Sequence, residues 1–224
     1  MINEKIFICI PVYNEGKVVS DVVRSLFLLE YRSVIIVDDG SSDDTYAEAK
    51  KSGALVLRHL INRGKGAAIK TAIEASKILG ADIIVTMDGD GQHNPEDIEK
   101  MINSIRLGND VVLGTRLRST KKMPWHKVLA NGVGNFFTML LYGLWVTDSQ
   151  SGFRVYSKKA ISKINTRTDR YEYDSEVIRE VHINKLKYSE IPIEIRYTKH
   201  SMGKKDKQNF KNGLKTLIKM FISS

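Results

Sequence analysis

A mostly parallel α/β sheet covered by helices on both faces is the fold class this 224-residue sequence predicts. Three observations carry it. Short, continuous apolar runs recur, as in strands buried on both faces. Stretches with helical apolar spacing separate them. Several of the runs then end on acids and glycines, at the strand ends where open α/β sheets bind ligands.

The strands are read in order as KIFICI (5–10), SVIIVDD (33–39), ALVLRHL (54–60), DIIVTMD (82–88) and DVVLGTR (110–116). Between the first two, Val18, Val19, Val22, Val23, Leu26 and Phe27 recur at helical spacing. A later helix carries Ala68, Ala72, Ile73 and Leu79 and stops at Gly80. The next places Ile98, Met101, Ile102 and Ile105 on one face, with Asn94 as its N-cap, Pro95 at the first helical position and Glu96 and Asp97 at the positive helix end. The second half is less regular. It reads as a long apolar helix over 125–145, a strand at GFRVYS, a short helix over 158–164, a helix at YDSEVIREVHIN and a strand at YSEIPIEIRYT with Ile191, Ile193 and Ile195 on one side.

Composition fits a soluble globular chain. The single cysteine, Cys9, lies in an apolar run, so no disulfide framework exists and a reducing, cytoplasmic compartment is expected. No signal peptide is read at the N-terminus. The longest apolar run, residues 136–146, is too short to cross a bilayer as a helix. The net charge of +9 is concentrated: residues 196–224 hold eight Lys/Arg against one acid, and 116–127 hold five with none. Such concentration indicates either an anionic partner or a solvated basic face.

Three polar clusters follow strands: PVYNE (11–15), DDGSSDDT (38–45) and DGDGQ (88–92). Asp88, Asp90 and Gln92 offer hard oxygen ligands, suited to Mg²⁺ or Mn²⁺. They are too few for an octahedral ion. That deficit suits a metal completed by water and the oxygens of a substrate diphosphate. No Cys/His set has zinc spacing. NRGKGAAI (62–69) puts Lys65, with Arg63 beside it, at a helix start where anions are favoured, although it lacks the P-loop spacing.

IPVYNE, VDDGSSDDT, NRGKGAAI, MDGDGQHNPEDI, LGTR and DSQSGFRVYSKKAI together resemble the family-two glycosyltransferases, in particular the dolichol-phosphate mannose synthase and polyprenyl-phosphate glycosyltransferase branch. The resemblance runs from about Lys5 to Thr198. It implies a GT-A fold over residues 1–200, with a nucleotide-binding half to about residue 115 and an acceptor half over 116–200. Residues 201–224 would form a basic amphipathic tail. By the same resemblance Pro11, Tyr13, Glu15, Val37 and Asp39 hold the nucleoside of a GDP- or UDP-hexose. Asp88, Asp90 and Gln92 are the metal and diphosphate motif. Arg116 meets donor and acceptor phosphates, and Lys127, Asn131 and Arg154 face the phosphate of a polyprenyl or dolichyl acceptor. His200 and Lys205 fall near a basic donor-binding loop, where the family's usual pattern of Arg followed by Ser-Lys is not kept.

The resemblance also implies inversion at the sugar carbon. A hydroxyl acceptor requires a general base, and Asp148 is the candidate, its other reading being to orient Arg154. A phosphate acceptor is already ionised at neutral pH and requires only cations. The basic segment 116–127 supplies them, favouring the lipid phosphate over a saccharide or protein hydroxyl. In the tail, Phe210, Leu214, Leu217, Ile218 and Phe221 form one helical face flanked by lysines, which suits peripheral contact with the cytoplasmic face of a membrane or a helix packed on the domain. A nucleotidyltransferase is disfavoured because no Gly-rich triphosphate loop is present. Nucleic acid is disfavoured because no recognised motif appears and few aromatics interleave with the basic runs.

Overall fold

The computed structural model describes residues 4–116, 139, 143–170 and 172–196. A seven-stranded sheet runs through them in the order β3-β2-β1-β4-β6-β5-β7. Its strands are β1 (Ile6–Val12), β2 (Val34–Asp38), β3 (Leu55–Arg58), β4 (Ile83–Thr86), β5 (Val111–Thr115), β6 (Arg154–Ser157) and β7 (Tyr188–Pro192). The described helices are α1 (Val19–Leu28), α2 (Thr45–Lys51), α3 (Lys65–Ile78), α4 (Asp97–Arg106), α5 (Lys158–Lys163) and α6 (Glu172–Ile183).

The five expected early strands are all present and mutually parallel where they pair, but β4 and β5 are not neighbours. β6 lies between them and is antiparallel to both, pairing Thr86 with Arg154 and Leu113 with Arg154. Because β6 runs the other way, its start sits at the carboxyl ends of the rest. The loop before it, 148–153, is thereby brought to the ligand-binding edge.

Two apolar layers close the sheet. On one face α1 and α4 pack Val19, Leu26, Ile98 and Met101 against Ile8, Ile10 and Val85. On the other, α3 and α6 pack Ala68, Ala72, Val177 and Ile178 against Cys9, Ile35 and Val37. α3 buries Ala67, Ala68, Ile69, Ala72 and Ser76, while Leu79, expected on that face, is exposed. Small residues let α3 lie close to β1, where the Ser76 hydroxyl and the Cys9 thiol meet at 3.2 Å. β3 also departs from expectation: at the sheet edge, Leu55 is 47 % exposed.

Helix ends follow their chemistry. α3 closes with Gly80 N–H bonded to Lys77 O and Ala81 N–H to Ser76 O, the Schellman pattern, with Gly80 at φ 81°. α1 closes the same way through Glu30 and Tyr31, but Glu30 stands at φ 69° with a side chain. A non-glycine residue there costs about 1–2 kcal/mol, partly returned in the unfolded chain. The exposed Glu30→Gly is therefore expected to raise stability by about 0.5–1 kcal/mol in urea unfolding. No gain would show that the turn is already relaxed.

α4 begins two residues later than Pro95. Asn94 still serves its N-terminus, its Oδ1 accepting from Glu96 N–H at 3.2 Å. The apolar helix expected to end at Trp145 is over by Gly143, which stands at φ 73° and donates to Met139 O. After β7, Ile193 is buried while Glu194 and Arg196 are exposed, as the alternation predicts. No helix among the described residues is long and apolar enough to cross a membrane.

Candidate active site at the carboxyl edge of the sheet

The strand order reverses at β1, whose neighbours β2 and β4 lead away on either side, and such a reversal opens a crevice. Here β1 and β4 part company at a definite point. Cys9 O still accepts from Met87 N–H at 3.2 Å. Two residues on, Pro11 has no N–H with which to continue the ladder. The chain beyond Met87 crosses β1 at Gly89, where a Cβ would stand 2.4 Å from Val12 Cγ1. The cleft so formed has a volume of about 390 Å³ and is lined by Pro11, Tyr13, Glu15, Asp39, Asn62, Lys65, Asp88, Asp90 and Arg170, among others. That is a ligand-sized space.

Seven of the twelve described site residues singled out in sequence converge here, while Gln92, Arg116, Asp148 and Arg154 lie outside its lining. Pro11, Tyr13, Glu15, Asp39, Lys65, Asp88 and Asp90 line one cleft. Val37 does not reach it with its side chain, which is fully buried in the α3 layer, so only its backbone faces the strand ends. Asp39 is committed to shaping the wall: it accepts from the backbone N–H of Arg63 (3.0 Å) and Gly64 (2.7 Å) and lies 2.7 Å from His59 Nδ1. These bonds set the loop that starts α3. Gly64, at φ 114°, fits there because a Cβ would lie 2.4 Å from Asp169 O.

The two acids of the Asp88-Gly89-Asp90 turn have different partners. Lys65 Nζ lies 2.8 Å from Asp88 Oδ1, and Asp88 N–H donates to His93 Nδ1 at 3.1 Å. Burial opposes the charge on Asp88, but Lys65 and His93 hold its carboxyl well below the usual carboxylate range. Asp90 accepts instead from Gln92, through the backbone N–H at 3.0 Å and the side-chain amide at 2.8 Å. Burial first, and then the charge of Asp88, push the Asp90 carboxyl up. A buried carboxylate raised by a neighbouring carboxylate is the electrostatic condition that a divalent cation relieves.

Among the described residues no three His, Cys, Asp or Glu side chains form a ready metal cluster. The donor set nevertheless fits a hard ion: two carboxylates on one turn supply oxygen ligands and leave positions for water and phosphate, while Gln92, expected as a third ligand, turns its amide N–H rather than its oxygen toward Asp90.

Arg116 stands directly after β5, outside the cleft lining but near enough to Asp88 for their charges to interact. Its Nε and Nη2 donate to the two oxygens of Asp148 at 2.7 and 2.8 Å, and its backbone N–H adds a third bond at 3.1 Å. Burial disfavours the guanidinium charge, yet Asp148 keeps its pKa above the ordinary arginine value. Asp148 is 2 % exposed, with both oxygens engaged. Arg154 points inward. Its side chain donates to the carbonyls of Ser151, Ser149 and Asp174 at 2.9, 2.9 and 2.8 Å and is buried to 1 % exposure. The structure thus places it as a brace of the 148–153 loop and of α6, away from the cleft surface. Lys127, Asn131, His200, Lys205 and the 201–224 tail lie outside the described residues.

Two members of the site carried no sequence signal. Asp174, at the start of α6, approaches Lys65 Nζ at 3.3 Å and Arg154 Nη2 at 3.5 Å. His93 is buried, stacked on Phe153 at 4.9 Å between ring centroids. The segment after β7 fixes this turn from outside, through Arg196 N–H to Gln92 O at 2.8 Å and the pairing of His93 with Ile195.

With this geometry in place, comparison with known proteins is informative. Residues 7–165 match Glycosyl transferase family 2. A UDP-N-acetylglucosamine–dolichyl-phosphate N-acetylglucosaminyltransferase of Methanococcus voltae is 39 % identical over 227 residues, covering 91 % of this chain and 90 % of that one. A polyprenol monophosphomannose synthase of Mycolicibacterium smegmatis is 26 % identical, over 72 % of this chain and 65 % of its own. The fold is shared with glucosyl-3-phosphoglycerate synthase of Mycobacterium tuberculosis, solved with Mg²⁺ and UDP: TM-score 0.75, 18 % identity, 99 % of this chain and 79 % of that one. The same enzyme has been solved with Mn²⁺ and UDP-glucose. The expected GT-A architecture is therefore found, and this chain belongs to glycosyl transferase family 2 as a glycosyltransferase.

Proposed function

We propose that the protein moves a sugar from a nucleoside diphosphate donor onto the phosphate of a polyprenyl or dolichyl lipid. The observation that carries this reading is the Arg116–Asp148 pair. Asp148 stands where a base for a hydroxyl acceptor was expected, but both of its oxygens are held by Arg116. A carboxylate locked in this way is badly placed to take a proton. A phosphate acceptor needs none removed, because its second ionisation lies near pH ~6. The relatives named for dolichyl and polyprenol phosphate point the same way.

In this reading Pro11, Tyr13, Glu15, Asp39 and the backbone at Val37 hold the nucleoside. Lys65 lies beside the diphosphate. Asp88 and Asp90 would hold Mg²⁺ or Mn²⁺, which supplies charge stabilisation of the departing diphosphate. Arg116, fixed by Asp148, faces the phosphates. An acceptor phosphate oxygen forms the new bond to the anomeric carbon as the bond to the donor's β-phosphate breaks, with inversion. Arg154 acts by holding the 148–153 loop rather than by touching the acceptor. UDP-N-acetylglucosamine is the first donor to try, given the Methanococcus relative. A lipid acceptor places the reaction at a membrane surface, with the cytoplasmic face proposed.

The test is a transfer assay with UDP-N-acetylglucosamine, UDP-glucose and GDP-mannose, offering a polyprenyl phosphate or the matching polyprenol. Product is expected from the phosphate alone. The rate should rise as pH passes about 6, where the acceptor gains its second charge. Transfer to the polyprenol, or to a saccharide, would replace this reading with a hydroxyl acceptor and return Asp148 to the role of base.

A further inference from the structure

Four charged side chains form a line from the cleft into the interior: Asp88, Lys65, Asp174 and Arg154. The steps are 2.8, 3.3 and 3.5 Å. Lys65 is the pivot of this line. It is the first residue of α3, where the positive helix end disfavours a cation. Two carboxylates overcome that penalty. Gly152 then closes over the pair so tightly that a Cβ would stand 2.5 Å from Lys65 Nζ and 2.7 Å from Asp88 Oδ1. The lysine is therefore seated on one of the two acids of the metal motif, while the other, Asp90, is left to Gln92.

We propose that Lys65 is a resident counter-cation for Asp88, which disfavours binding of a free divalent ion until a nucleoside diphosphate arrives to take the lysine over, with Asp174 as its second anchor. This deepens the donor-site reading above and rests on it. A divalent ion entering alone would meet an Asp88 already neutralised and would set a 2+ charge beside an ammonium that has nowhere to go except Asp174. A diphosphate changes the balance. Lys65 lines the same cleft as Asp88 and Asp90, so its ammonium can pair with phosphate oxygens while the carboxylate is released. Ion and nucleotide then bind as a set, each raising the affinity of the other by the same factor. The consequence for the enzyme is that donor-free protein stays largely metal-free, and its acidic turn remains compensated.

The test is Mn²⁺ binding to the full chain, read from the electron paramagnetic resonance signal of free Mn²⁺, with and without UDP. For the unaltered protein, Mn²⁺ alone should bind weakly, and UDP should tighten it by about tenfold or more, within the usual range of coupling. Lys65→Met should bind Mn²⁺ alone about tenfold more tightly than the parent and lose most of the gain from UDP. Lys65→Arg, which keeps the charge, should retain the coupling.

Asp174→Asn is close in shape and guards against a folding artefact in the lysine variant. It takes away the lysine's second anchor, so Mn²⁺ alone should bind more weakly than to the parent, with a smaller deficit when UDP is present. These opposite directions are not produced by a general loosening of the site. If Lys65→Met binds Mn²⁺ alone no more tightly than the parent while UDP still tightens it, the counter-cation role is overturned and the donor site stands. If no protein binds Mn²⁺ even with UDP, the metal reading falls and this inference falls with it.

Discussion

Arg116→Ala should lower sugar transfer by about 10²–10³-fold, the usual cost of removing a preorganised group that meets developing charge. Asp148→Asn should lower it by less, about tenfold, because the arginine stays but loses part of its clamp. The double variant should be no slower than Arg116→Ala. That non-additivity is the signature of two residues acting as one unit. It follows from three bonds joining Arg116 to a single buried carboxylate. Steady-state rates with a lipid phosphate acceptor, with UDP binding measured alongside, decide the matter. Should Asp148→Asn be as inactive as a blank at every pH while Arg116→Ala retains activity, Asp148 would be the base and the acceptor a hydroxyl.

Arg154→Met should cost about 3–5 kcal/mol of stability, the range for breaking a buried ion pair by removing one partner. The loss goes beyond a charge. Carbonyls of Ser149, Ser151 and Asp174 lose donors, and Asp174 keeps its charge with Lys65 as its remaining ion-pair partner among the described residues. Arg154→Lys should recover little, since one ammonium cannot reproduce the fork that spans three carbonyls. In urea unfolding the midpoint should fall with little change in slope. A variant of near-normal stability with a raised KM for the lipid phosphate would instead make Arg154 an acceptor ligand.

The first half of the sheet was readable in the sequence because each of its strands is written in its own residues. IFICI and VIIV are buried on both faces, and continuous apolar character says so. Placement of β6 was not readable in the same way. GFRVYS looks like a strand, but nothing in six residues says that it separates β4 from β5 or that it runs backwards, because its partners lie about 70 and 40 residues earlier. The site divides similarly. Asp88 and Asp90 follow β4 and Pro11 lies near the end of β1, so all three could be placed at an edge from sequence alone. Asp174 looked like any acid near a helix start, since its meaning comes from Lys65, 109 residues away. The family resemblance assigns Arg154 to the acceptor phosphate, a role that suits an arginine's chemistry. Only packing reveals that its Nε and Nη2 donors are spent on the chain itself.

The insertion of β6 also bears on how the chain is made. During synthesis β4 and β5 emerge well before β6, and until residues 154–157 arrive each lacks its central neighbour. Pairing over such sequence distances is slow, because loop closure must be completed before contacts reward it. The strand ends that carry Asp88 and Arg116 therefore take up their final spacing late, when a segment from the second half of the chain slides between them. A chain with only residues 1–115 free to fold would show an open sheet edge at β4, a surface that invites pairing with other chains.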